Sequence, residues 1–141
     1  MLSCSLIILG SCKVNTSKPG KLPRKQLIIG SYGGFTGINQ RHIILKNGQV
    51  FQSVLMPGGT DSISFVKQIS RYKARQMFKK INKINFKNLN PGKPGNMTNY
   101  IERKRWIRKD NYYEWSERID TTDINMKYIS QLLKTQNLNL Q

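Results

Sequence analysis

Lys46-Asn47-Gly48 separates two apolar, β-branched runs, Ile38 to Leu45 and Gln49 to Leu55. Asn-Gly in that setting is the strongest short-range hairpin signal, because both central residues of the tight turn take positive φ, which these two accept most readily. The spacing predicts a pair of antiparallel strands over those runs. Gln26 to Gly30 is a further short apolar run, and Ser62 to Ile69, after Met56-Pro57-Gly58-Gly59, is another candidate strand.

The period changes at Ser70, which can cap a helix. Ala74, Met77, Phe78, Ile81 and Ile84 recur at helical spacing and predict a helix from about Arg71 to Lys83 with one buried face. Its other arc carries Arg71, Lys73, Arg75, Lys79, Lys80 and Lys83, read as a solvated face, with a dedicated binding surface as the alternative. A Gly/Pro-rich loop, Asn90 to Asn96, then leads into alternating segments at Met97–Arg108 and Tyr112–Ile119, the latter with Tyr113, Trp115 and Ile119 on one face. Thr122 or Asp123 caps a last helix whose stripe is Ile124, Tyr128 and Leu132, with Ile129 and Leu133.

The resulting order is ββ(β)αββα. It implies an α+β domain with one antiparallel sheet and two helices packed on a single face. A chain of 141 residues, 38% hydrophobic and 22% charged, suffices for one such core and not for two. The segments Gly33-Gly34-Phe35-Thr36-Gly37, Asn47-Gly48-Gln49-Val50-Phe51 and Pro94-Gly95-Asn96-Met97 resemble those of a group of small, uncharacterised exported bacterial proteins. That resemblance spans about Ile28 to Leu133 and implies no particular activity.

Met1 to Leu9 is uncharged and mostly apolar, and a polar run from Lys13 to Gln26 follows Gly10-Ser11-Cys12. The apolar stretch is too short to span a bilayer, which takes about 20 residues, and it matches the core of a signal peptide. Leu9-Gly10-Ser11-Cys12 resembles the lipobox of bacterial lipoproteins. The resemblance implies a diacylglycerol on Cys12, cleavage before it, acylation of the new amino terminus and a place in the bacterial cell envelope. The alternative for these residues is a buried strand or an uncleaved apolar anchor. On the lipoprotein reading residues 1–11 are the signal peptide, 12–25 the lipidated N-terminus and polar tether, and 26–141 the single domain. Cleavage removes Cys4, so no second cysteine remains for a disulfide.

Few residues suit catalysis. His42 falls within a strand with no Cys, Asp or Glu at metal-ligand spacing, so a structural role is expected. Glu102, Glu114 and Glu117 lie among Arg103, Arg105, Arg108 and Arg118, which makes cross-strand ion pairing simpler than glycosidase chemistry. Gly33, Gly34, Phe35, Thr36 and Gly37, with Gly95 and Asn96, form two glycine-bearing loops that are either strand connections or ligand contacts. They lack the Gly-Lys-Ser/Thr and the following helix of a phosphate-binding loop. No enzyme activity, cofactor or metal is expected.

The charge balance is the unusual quantity: 24 Lys+Arg against 7 Asp+Glu, a net charge of +17. Arg103, Lys104, Arg105, Arg108 and Lys109 cluster around Trp106 and precede Tyr112-Tyr113. Such a cluster suits an anionic membrane surface, where each nearby cation adds about 1 kcal/mol, or an anionic envelope polymer. Interleaved cations and aromatics also suit single-stranded nucleic acid. The sequence is therefore read as a non-catalytic, lipid-anchored envelope protein, the alternative being a soluble, basic nucleic-acid-binding module.

Overall fold

Gly48, at φ +92°, donates its N–H to the Leu45 carbonyl at 3.0 Å and closes the turn joining β2 (Ile38–Leu45) to β3 (Gln49–Leu55). Asn47 braces that turn, its Oδ1 accepting the Gln49 N–H at 3.1 Å. The same glycine ties down the end of β4 (Asp61–Gln68), because its carbonyl accepts the Ile69 N–H at 2.9 Å. A Cβ on Gly48 would collide with the Ile69 carbonyl oxygen, so a side chain there is excluded on steric as well as torsional grounds.

The computed structural model describes residues 16–89, 95–105, 111–116 and 122–136, with the side chains of the last segment described to Lys134. The remaining elements are β1 (Gln26–Gly33), α1 (Arg71–Lys83), a single 3₁₀ turn (Phe86–Asn88), β5 (Met97–Lys104), β6 (Asn111–Trp115) and α2 (Ile124–Gln136). Among the described residues the six strands form one antiparallel sheet in the order β4-β3-β2-β1-β5-β6. The fold is thus α+β, and the short runs expected at Gln26–Gly30 and Ser62–Ile69 are full strands.

Strand β1 sits between β2 and β5, which explains its unbroken apolar run: a central strand buries both faces. Leu27 and Ile29 join Ile44, Val50 and Ile101 in the main core cluster, whereas Ile28 joins Ile43, Leu45, Phe51 and Tyr100 in a second cluster. The main cluster also holds Met77, Phe78 and Ile81 of α1 and Met126, Ile129 and Leu132 of α2. Each large side chain buried there contributes roughly 1.5–3 kcal/mol relative to exposure.

Helix α1 matches its sequence signal: the Ser70 hydroxyl accepts the Lys73 N–H at 3.1 Å, and Ala74, Met77, Phe78 and Ile81 are buried. Helix α2 differs in one respect. Asp123 Oδ1 accepts the N–H groups of Asn125 and Met126 at 2.6 and 3.1 Å, which leaves Ile124 in the first turn and 58% exposed. The rest of the expected stripe is inside, with Ile129 and Leu132 buried and Tyr128 and Leu133 packed against the main cluster, and Asn125 and Met126 take the place of Ile124. Asn125 is kept inside by a bond to the Asn85 N–H at 2.9 Å, which ties α2 to the connection after α1.

The segment before β1, read as a polar tether, hydrogen-bonds to the domain at Ser17. Ser17 donates its N–H to Gln49 Oε1 at 2.7 Å and accepts from Gln49 Nε2 at 3.1 Å. Leu22 packs against the second cluster. Cys12 and the rest of the signal-like stretch lie outside the described residues.

Candidate functional site

The sheet has two ends, and the sequence candidates divide between them. At one end the β1–β2 connection, Gly34 to Gly37, meets the stretch before β5: the Gly34 N–H donates to the Asn96 carbonyl. The two glycine-bearing loops are therefore neighbours, but that N–H is spent on protein and not offered to an anion. Phe35 projects fully from this connection, and Met56 and Met97 are about half exposed at the same end. Gly95 lies against Ser116, where an added Cβ would approach the Ser116 Cβ to 2.6 Å.

Across the second-cluster face the polar side chains pair with one another. Arg41 donates from Nε to Ser53 Oγ at 2.8 Å and pairs with Asp61, which also accepts from the Ser53 hydroxyl. Tyr32 and Tyr112 both donate to Glu114 Oε2 at 2.8 Å, and Tyr100 donates to Asn39 Oδ1 at 2.9 Å. The three tyrosine rings follow one another at centroid distances of 5.9 and 5.8 Å. The bond to Glu114 chiefly raises the Tyr32 pKa above 10.0, while burial and then Glu114 raise that of Tyr112. Glu102 faces Lys104 at 3.9 Å.

At the other end lies a cleft of about 320 Å³ lined by Lys46, Arg75, Phe78, Lys79 and Asn82. Lys46 comes from the β2–β3 turn; the others descend one flank of α1. Lys46 Nζ is 5.9 Å from the centre of the Phe78 ring, and the Arg103 guanidinium carbon is 4.4 Å from it, both within cation–π range. Arg103 is only 7% exposed, and its Nε and Nη1 are buried with no hydrogen-bond partner among the described residues. Burial, and then the charge of Arg105, push its pKa down. Guanidinium is nevertheless protonated in any ordinary solvent.

Arg103 thus departs from the expectation that it belongs to an exposed basic cluster. In β5 it lies two residues from Ile101, and period-two alternation turns it toward the main core with that residue. Tyr113 likewise faces that side, stacked on Trp115 with centroids 6.0 Å apart, whereas Tyr112 faces the other way. Lys104 and Arg105 are half-buried, and Arg108 and Lys109 lie outside the described residues. The expected cluster is therefore split between the two sides of the sheet. Of the cleft cations, Arg75 and Lys79 belong to the basic arc of α1 that the sequence reads as a solvated face or, alternatively, a binding surface, and their i, i+4 spacing puts them on one flank of the helix. Lys46 has no such sequence signal.

His42 is half-buried in β2, opposite Gln52, and burial followed by the Lys67 charge lowers its pKa. Among the described residues no group of three His, Cys, Asp or Glu side chains is placed to hold a metal ion, and no helix is long and apolar enough to cross a membrane. No family model matches the chain, and no curated protein matches it.

Proposed function

We propose that this protein is a non-catalytic, lipid-anchored domain of the bacterial cell envelope, whose basic end faces an anionic surface. The observation that carries this reading is the pair of bonds between Ser17 and Gln49, at 2.7 and 3.1 Å. They hold the segment following Cys12 at the sheet end that bears the Lys46–Gly48 turn. Cys12 is five residues before Ser17, so the backbone at Cys12 lies within about 18 Å of that anchor, at the maximum extension of roughly 3.3–3.6 Å per residue. Lys46 and Lys104 share that end, with Lys18, Lys21, Arg24 and Lys25 in the segment itself. A tether leaving from this end brings those cations to the membrane with the lipid, where they act together.

In this reading both helices cover one face of the sheet. The shared cluster of Met77, Ile81, Ile129 and Leu132 with Leu27, Ile29 and Ile101 supports that layering. The opposite face, with Ile28, Ile43, Tyr100 and Phe51, is covered in part by Leu22 of the tether segment.

Metabolic labelling with a fatty acid, in wild type and in Cys12→Ala, tests the anchor. Label in the wild type and none in the variant, with wild type in the membrane fraction, is the expected result. Equal labelling of the two proteins, or a wild-type protein found wholly in the soluble fraction, would overturn it.

A further inference from the structure

The cleft beside the Asn47-Gly48 turn gathers positive charge that nothing described in the protein neutralises. Lys46, Arg75 and Lys79 line it with the Asn82 amide around the Phe78 ring, and no carboxylate is among the lining residues. The carboxylates that the structure describes are engaged elsewhere. Asp61 holds Arg41 and Ser53, Glu102 faces Lys104, Glu114 takes two tyrosine hydroxyls, and Asp123 caps α2.

Arg103 adds to this. Its guanidinium lies 4.4 Å from the centre of the ring that lines the cleft, and packing prevents it from turning out to water. A buried cation against the ring and three exposed ones lining the cleft raise the local potential, and mutual repulsion disfavours that arrangement without a counter-charge. The cleft's volume of about 320 Å³ is at the small end of ligand sites, which run to roughly 300–1,000 Å³.

We propose that this cleft binds a phosphate group, held by Arg75, Lys46 and Lys79 with the Asn82 amide as a neutral donor. The match is one of donor number and charge. A phosphate presents several oxygens and more than one negative charge, and guanidinium can take two of those oxygens at once, while the lysines serve as point charges. A carboxylate would leave most of these donors unused. The group can come as free phosphate or as the headgroup of an anionic phospholipid. The second source deepens the anchored reading and rests on it, because the tether segment leaves from the same end; the affinity for phosphate itself does not depend on a lipid.

The test uses the full chain carrying Cys12→Ala, so that no acyl chain contributes, and titrates it with sodium phosphate at constant ionic strength by calorimetry. Saturable binding at one site is expected. Loss of a charge-assisted bond should weaken it at least about tenfold in Arg75→Gln and in Lys79→Gln. The control is Lys73→Gln, which removes the same charge from the same helix outside the cleft and should leave affinity within twofold. Arg75, Lys79 and Lys73 are all exposed, so the variants keep the fold, which circular dichroism verifies.

A second arm measures capture on vesicles of phosphatidylglycerol with phosphatidylcholine, against phosphatidylcholine alone. Capture by the anionic vesicles that falls in the cleft variants and is competed by phosphate identifies the headgroup source. Phosphate binding without vesicle capture identifies free phosphate and still supports the site. Non-saturating phosphate uptake, or equal weakening by Lys73→Gln, overturns the proposal in favour of diffuse surface charge. Tighter binding of a single-stranded oligonucleotide than of vesicles at equal phosphate concentration overturns it in favour of nucleic acid. Fatty-acid labelling reports on the anchor independently of all these outcomes.

Discussion

Arg103 rests its guanidinium carbon 4.4 Å from the centre of the Phe78 ring, joining β5 to α1 by a cation–π contact inside the protein. Such a contact is worth about 0.5–2 kcal/mol. Two buried donors without described partners set against it a cost of about 1–3 kcal/mol each. The second effect is the larger, so Arg103→Met, which keeps the stem and drops the charge, is expected to hold or raise stability in urea unfolding. Phe78→Ala should cost about 3–5 kcal/mol, since Phe78 is 3% exposed in the main cluster. A loss above about 2 kcal/mol in Arg103→Met would show that the guanidinium contributes more than its contact with the ring.

Gly30 supplies a second expectation. It lies between Arg41 on β2 and Tyr100 on β5, and an added Cβ would come within 2.7 Å of the Tyr100 ring and 2.8 Å of both the Arg41 Cβ and the Gln40 carbonyl. Neither neighbour can move freely, because Arg41 is tied to Ser53 and Asp61, and Tyr100 to Asn39. Gly30→Ala should therefore destabilise by about 1–3 kcal/mol. Gly20→Ala meets nothing within 4 Å and should stay within about 0.5 kcal/mol in the same denaturation assay.

Tyr32 and Tyr112 share one carboxylate oxygen of Glu114 and are held neutral above the ordinary tyrosine value of 10.0. A raised folded-state pKa contributes stability that is present below pH 10.0 and lost as pH rises through the folded value. Unfolding free energy should therefore fall on the alkaline side. Glu114→Gln should let both tyrosines ionise at lower pH, since its carboxylate raises the pKa of each. Absorbance titration at the phenolate band, compared with Tyr32→Phe, measures the shift.

His42 gives the opposite dependence. Its pKa is depressed below 6.5 by burial and by Lys67, so the neutral form stabilises the fold above that pH and is lost as pH falls through the folded value. It is the chain's one histidine. Stability measured between neutral and mildly acidic pH should decline in the wild type and remain flat in His42→Gln. An unchanged slope in the variant would assign the decline to other groups.

The hairpin at Asn47-Gly48 and the helix capped by Ser70 were legible because local chemistry and burial agree there. Position 103 was not, since a run of Arg and Lys reads as solvated. The period of two counted from Ile101 turns that residue inward, and this signal was present in the sequence beneath the charges. Strand β1 outran its apolar stretch because Ser31, Tyr32 and Gly33 continue the ladder through backbone bonds, with partners at Asn39 and Thr98 that only pairing supplies. The cleft joins Lys46 to Arg75 across two whole strands, β3 and β4, and the turns around them. No local spacing announces a site that exists only once α1 lies beside the Asn47-Gly48 turn.

Every strand pair in the sheet joins neighbours in sequence except β1 with β5. Ribosomal synthesis therefore leaves one rim of Gln26–Gly33 bare, its amides and carbonyls unmatched, until Met97 to Lys104 emerge. That late stitch must await closure of a long intervening loop, which places it among the slower steps of maturation. A product cut short before Met97 is expected to clump through that rim rather than to mature.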